Sequence, residues 1–84
     1  MGDQEIKVTA YAGYRGEESP MAFVFRGEKI NVVEVLDRRV EQDVEEKTTR
    51  RWFRLKGDDR KIYHIYYHET AMTWFLHSVS PVSF

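Results

Sequence analysis

The chain has 84 residues and a mass of 10.0 kDa, enough for one domain around one core. Thirteen Lys and Arg against fourteen Asp and Glu leave a net charge of −1, which excludes attachment to DNA or to a membrane by bulk charge alone. With no cysteine there is no disulfide framework, zinc–cysteine site, iron–sulfur cluster or thiol catalysis, and no apolar run is long enough for a membrane-spanning helix.

No secretory leader is visible, so the simplest expected compartment is a bacterial-type cytoplasm. Aromatic residues make up 14% of the chain, with two Trp, five Tyr and five Phe. Short runs rich in Val, Ile, Thr, Tyr, Phe and Trp alternate with glycine- and acid-rich turns at 13–20, 27–28 and 57–59.

The first run, Glu5 to Tyr11, places Ile6, Val8 and Ala10 on one face and Lys7, Thr9 and Tyr11 on the other, the pattern of a half-buried strand. A second strand spans Met21 to Arg26, with Phe23 and Phe25 on one side. The third runs from Lys29 to about Val40. There Ile30 and Val32 differ in parity from Val33 and Val35, so a bulge near Val32-Val33 is expected. Glu41 to Lys47 reads as a solvated hairpin loop, since Val40 and Val44 alone do not make a helical face. Arg50 to Lys56, Lys61 to Tyr67 and Met72 to His77 complete six strands.

The expected fold is all-β, with five or six short antiparallel strands forming a small barrel or a strongly curled sheet. It is a single domain over residues 1–77, with a period-free tail over 78–84 that frays.

Register decides what the outer face carries. A loop over His68 to Ala71 pairs Tyr67 with Met72 and Ile65 with Trp74, giving a core face of Tyr63, Ile65, Tyr67, Met72, Trp74 and Leu76. A five-residue turn over Lys56 to Arg60 aligns Phe53 with Tyr63 and buries Phe53 and Leu55. A four-residue turn would bury Arg54 and Lys56 without partners.

The outer face then shows Arg50, Trp52, Arg54, Lys56, His64, Tyr66, Phe75 and His77. Cations interleaved with rings suit single-stranded nucleic acid, in which bases stack and phosphates meet Arg or Lys. Residues 47–61 carry seven bases and two acids, a balance of +5; residues 28–46 carry seven acids and three bases, a balance of −4. The same segregation serves cross-strand pairing if Asp37 and Glu41 fall near Arg50, Arg51 or Arg54.

Other groups read as structural. His64 and His77 share a face, but no local spacing makes them a metal site with Glu34. Asp58-Asp59 follows Gly57 as a turn. Arg38-Arg39 beside Asp37 is either an anion contact at a strand end or part of a salt-bridged strand. The serines lie in a turn and the tail, and Gly13 to Gly16 lacks the lysine and the helix of a phosphate loop. No catalytic residue, cofactor or metal is expected. The expected function is a non-enzymatic binding module for single-stranded nucleic acid, using Arg50, Arg54 and Lys56 for phosphates and Trp52, Tyr66 and Phe75 for bases. The alternative is a protein-interaction module or a subunit of a small homo-oligomer that covers the rings.

The segments Pro20-Met21-Ala22-Phe23-Val24-Phe25-Arg26-Gly27, Val33-Glu34-Val35-Leu36-Asp37-Arg38, Trp52-Phe53-Arg54-Leu55, Tyr63 to Tyr66 and Trp74-Phe75-Leu76 resemble a family of small, functionally uncharacterised bacterial proteins. The resemblance covers about residues 10–77. Some members are encoded beside error-prone DNA-polymerase accessory genes, which implies a link to nucleic acid. Arg39 stands where the family carries an aromatic ring, often Trp. The family has no assigned catalytic residues, so none is carried over.

Overall fold

The computed structural model describes residues 3–11 and 19–81; of the turn read over 13–20, residues 13–18 lie outside them, as do the last three residues of the tail, while Ser19 and Pro20 are strand. Six antiparallel strands, β1 (Gln4–Tyr11), β2 (Ser19–Phe25), β3 (Glu28–Asp43), β4 (Thr48–Gly57), β5 (Lys61–His68) and β6 (Thr73–Pro81), form a closed barrel in sequence order. Closure depends on β1. Gln4, Glu5 and Ile6 pair with Leu76, Phe75 and Trp74 of β6, and the strand then continues onto β2 from Lys7 onward. Joining the two ends removes the open edges a curled sheet would keep.

Ile6, Phe23, Ile30, Phe53, Leu55, Tyr63, Ile65, Trp74 and Leu76 fill the interior. Phe23 meets the Tyr63 ring edge-on at 4.7 Å, and Trp74 lies 5.5 Å from Phe53. Phe53 is 6% exposed and Leu55 fully buried, so Trp52 and Arg54 point outward as the alternation requires.

The turns depart from expectation in a consistent way. Between β4 and β5 the loop has three residues, Asp58–Arg60, rather than five. Arg60 N–H donates to the Gly57 carbonyl at 3.1 Å, and Arg60 takes a left-handed φ of 64°. That is a tight turn closed by one left-handed residue. Phe53 therefore pairs with Ile65, two residues beyond the expected partner. The β5–β6 loop is Glu69–Met72, with Met72 left-handed, and Tyr67 pairs with Trp74 rather than Met72. Met72 accordingly leaves the expected core face and is 77% exposed. Both shifts are of two residues, so apart from Met72 the expected faces of β4, β5 and β6 survive as far as the bulge in β6 at His77. At the β2–β3 hairpin, Arg26 and Gly27 both have positive φ between the paired Phe25 and Glu28, which gives a two-residue turn.

Two further expectations are corrected. β6 runs through Pro81, with Ser78, Val79, Ser80 and Pro81 opposite His64, Tyr63, Ile62 and Lys61, so residues 78–81 are strand and not a fraying tail. β3 continues to Asp43 because Val40–Asp43 pair with Thr48–Arg51, leaving a hairpin loop of only Val44–Lys47. Asp43 Oδ1 accepts from the Glu45 and Glu46 amides at 3.0 and 3.1 Å and caps that loop.

The bulge expected near Val33 is present, and a second interrupts the ladder between Val35 and Asp37. Two insertions shift parity twice. Ile30 and Val35 are core-facing, while Asp37, Arg39 and Glu41 emerge on the outer side opposite Arg54, Trp52 and Arg50.

The Asp58-Asp59 pair holds this end of the barrel. Asp58 accepts from the Asn31 amide and side chain at 3.3 and 3.0 Å, and its own amide donates to the Asn31 carbonyl. Asp59 accepts the Tyr63 hydroxyl from inside the barrel. Burial, reinforced by the bond to Asp59, raises the Tyr63 hydroxyl above its usual pKa. Gly57 sits between these contacts; a Cβ there would lie 2.7 Å from both Ile30 Cγ2 and Asp59 Oδ1. Gly57→Ala should therefore destabilise the fold by about 1–3 kcal/mol, read as a lower urea midpoint at unchanged slope.

Candidate functional site

The outward faces of β3, β4, β5 and β6 converge on Trp52. Register places Trp52 between Arg39 on β3 and Tyr66 on β5, and Arg54 between Asp37 and His64. The Trp52 ring lies 4.5 Å from Tyr66, 4.8 Å from His64 and 5.3 Å from His77. Tyr66 in turn stacks on Phe75 at 5.3 Å with 23° between planes. His64 and His77 meet edge to face at 5.5 Å. These rings form a second aromatic layer outside the barrel core.

Asp3, just ahead of β1, pins that layer. One carboxylate oxygen accepts the Tyr66 hydroxyl at 2.8 Å and the other faces His77 Nδ1 at 3.0 Å. Burial raises the pKa of Asp3, but the hydrogen bonds from Tyr66 and His77 and the charges of His77 and Arg50 outweigh it and leave the carboxyl below its usual value. Burial and the bond to Asp3 push the Tyr66 hydroxyl up to about 12. For His64, burial together with the positive charges of His77, Arg54 and Arg39 lowers the pKa, with Asp37 opposing.

All six of the expected contact residues stand on this face, in two groups. Trp52, Phe75 and Lys56 are half-buried and Arg54 is exposed. Arg54 and Lys56 make no ion pair among the described residues. Tyr66 is only 7% exposed, sandwiched by Trp52 and Phe75, so it supports rings rather than offering one. Arg50 is committed too: its Nη1 bonds Glu41 at 3.1 Å, and its guanidinium covers the Tyr66 ring at 5.7 Å. Tyr66 and Arg50 thus leave the set of free contacts.

In front of Trp52 lies a groove of about 300 Å³ lined by Asp37, Arg39, Glu41, Trp52, Arg54 and His64. Three of these, Asp37, Arg39 and Glu41, come from the distal half of β3, where the second bulge turns them outward. Arg39 reaches Asp37 at 3.7 Å, while Arg38, on the opposite face, donates to the Ser19 hydroxyl at 2.8 Å. The Arg38-Arg39 pair is therefore part of a continuous strand, and its two members serve different faces. Cross-strand pairing accounts for Arg50 with Glu41 and for Arg51, which bonds Glu69 at 2.7 Å. Glu34 pairs with Lys56 in register. Among the described residues no group of three or more His, Asp or Glu is placed to hold a metal ion, and no helix is long and apolar enough to cross a membrane.

Residues 2–81 match a family described as a domain of unknown function, DUF6504. No curated protein and no solved structure matches the chain.

The lowered His64 pKa has a signed consequence. Between its folded value and 6.5 the unfolded chain binds more protons, so stability falls as pH drops below about 6.5. The melting temperature should decline across that range, and His64→Gln should flatten the decline; an unaltered slope in the variant would assign it to other groups.

Proposed function

The chain belongs to the DUF6504 family, and we propose that it is a non-enzymatic binding module that takes single-stranded nucleic acid on the outer face of β3–β6. The observation that carries this reading is the half-buried Trp52 indole set in a nucleotide-sized groove between two guanidiniums, Arg39 and Arg54. A planar base stacks on such a ring irrespective of sequence, and the flanking cations meet phosphates.

Each residue then has a role. Trp52 is the stacking platform and Phe75 a second ring along the path. Arg54, Lys56 and Arg39 are the phosphate contacts. Tyr66, Asp3 and His77 hold Trp52 in place, and the Arg50–Glu41 pair closes the other end of the groove. Rigid aromatic support of this kind lowers the entropy lost on binding. The barrel core is filled by apolar side chains, which leaves the outer groove to carry the contact. A cytoplasmic location accords with such a ligand.

A labelled mixed-sequence heptamer should bind in low salt and lose affinity as salt rises with a log–log slope of about −2, the value for a single strand whose phosphates meet only the three cations Arg39, Arg54 and Lys56. Trp52→Ala should weaken binding by about 10–100-fold, from the loss of one stacked base, with the far-ultraviolet spectrum of the fold unchanged. No binding at tens of micromolar protein in low salt would discard the reading.

A further inference from the structure

The groove differs from a plain cationic track in carrying two carboxylates. At one end Glu41 is engaged with Arg50 through Oε1. At the other, Asp37 and Arg54 are cross-strand neighbours on the outer face, one step along the strands from the Arg39–Trp52 pair. Asp37 Oδ1 accepts the Arg38 amide at 2.9 Å, which fixes the carboxylate, while Oδ2 has only Arg39 at 3.7 Å. Arg54 has no ion-pair partner among the described residues. A base stacked on Trp52 therefore meets an acceptor group and a donor fork side by side.

Guanine alone among the common bases combines a pair of adjacent acceptors for the fork with a pair of adjacent donors for the carboxylate. Guanine carries two adjacent acceptors, N7 and O6, followed by two adjacent donors, N1–H and N2–H. Cytosine has a single donor position beside two acceptors. Adenine and thymine or uracil each place one donor position between acceptors. A guanidinium is the natural bidentate partner of O6 and N7, and a carboxylate can only accept.

We infer that this groove selects guanine, with Trp52 under the base, Arg54 on its O6/N7 edge and Asp37 on its N1–H and N2–H donors, an inference that rests on the nucleic-acid reading of the same face. Asp37 then discriminates. It repels phosphate, so it lowers affinity for the backbone, but it gives back two hydrogen bonds to guanine alone. Arg54 then serves the base in place of a phosphate, and Arg39 and Lys56, on either side, remain for the phosphates.

The test uses four heptamers, three thymines on each side of a central G, A, C or T, titrated against the full chain in low salt by tryptophan fluorescence. The G heptamer should bind about tenfold more tightly than the other three, the discrimination expected of one bidentate base contact. Asp37→Asn keeps a side-chain oxygen for the Arg38 amide, so the fold is retained. It should reduce the guanine preference to about twofold or less while leaving the all-thymine heptamer at least as tightly bound. Equal affinity for all four heptamers in the native protein, or an undiminished guanine preference in Asp37→Asn, overturns the guanine assignment and leaves the broader reading standing. Absence of binding to every heptamer overturns both.

Discussion

The outer face of this barrel follows from what its interior must exclude. A strand offers its side chains to two sides in strict alternation, and Phe53 and Leu55 are both sealed in the core. Trp52, Arg54 and Lys56 have no other side to occupy. An 84-residue chain could not bury Arg54 and Lys56, since unpaired buried cations cost more than a small core can offset, and Trp52 shares their face. The cation–ring array is thus a geometric consequence of core formation in β4. Its use depends on what the neighbouring strands bring alongside.

Those neighbours build a layer that does more than cover the sheet. Tyr66 would be an exposed tyrosine on most barrels, yet here it is nearly buried between Trp52 and Phe75 and tied to Asp3. Because Asp3 lies ahead of β1 and Tyr66 on β5, the bond crosses the seam where β1 meets β6 and closes the barrel. The seam itself has only three paired residues on β1. Closure of the fold and orientation of the Trp52 platform therefore share one carboxylate, whose lowered pKa is the electrostatic mark of that arrangement. A ring fixed in this way presents a flat surface without the rotamer cost that a lone surface tryptophan would meet.

The fold class, the six strands and the inward Phe53 with outward Trp52 were legible in the sequence, even though one turn was assumed too long and another was placed one residue early. The reason is the period of two. A β4–β5 loop shorter by two residues moved Phe53 from Tyr63 to Ile65, and a β5–β6 loop of the expected four residues, set one residue later, moved Tyr67 from Met72 to Trp74, even steps that leave side chains on the same face. The turn positions were hidden because the left-handed residues are Arg60 and Met72, which advertise no such conformation, whereas Gly27 at the β2–β3 turn does. The second bulge, at Leu36, had no signal either, and it turns Asp37, Arg39 and Glu41 towards Trp52. Asp3 was invisible for a different reason: its partners lie 63 and 74 residues away, and no local pattern encodes such a contact. The strand continuation to Pro81 was missed because Ser78 to Ser80 lack a hydrophobic alternation, being exposed on both sides of a ladder held by backbone bonds.

The balance of charge in the groove bears on what kind of contact it can make. A chain of net charge −1 gains nothing from its overall field when it approaches a polyanion. Of the cations nearest the rings, Arg50 is already neutralised by Glu41, and the neighbouring Arg51, on the other face of β4, by Glu69. The remaining attraction comes from Arg39, Arg54 and Lys56, and Asp37 partly offsets it. An arrangement of this kind is poor at holding phosphate indiscriminately. A ligand must supply what the backbone charge does not, a flat ring for Trp52 and donors for the carboxylates, before the cations contribute their share. On the proposed reading, Asp37 and Glu41 would shift the binding energy from the part of a nucleic acid that is the same everywhere to the part that carries identity.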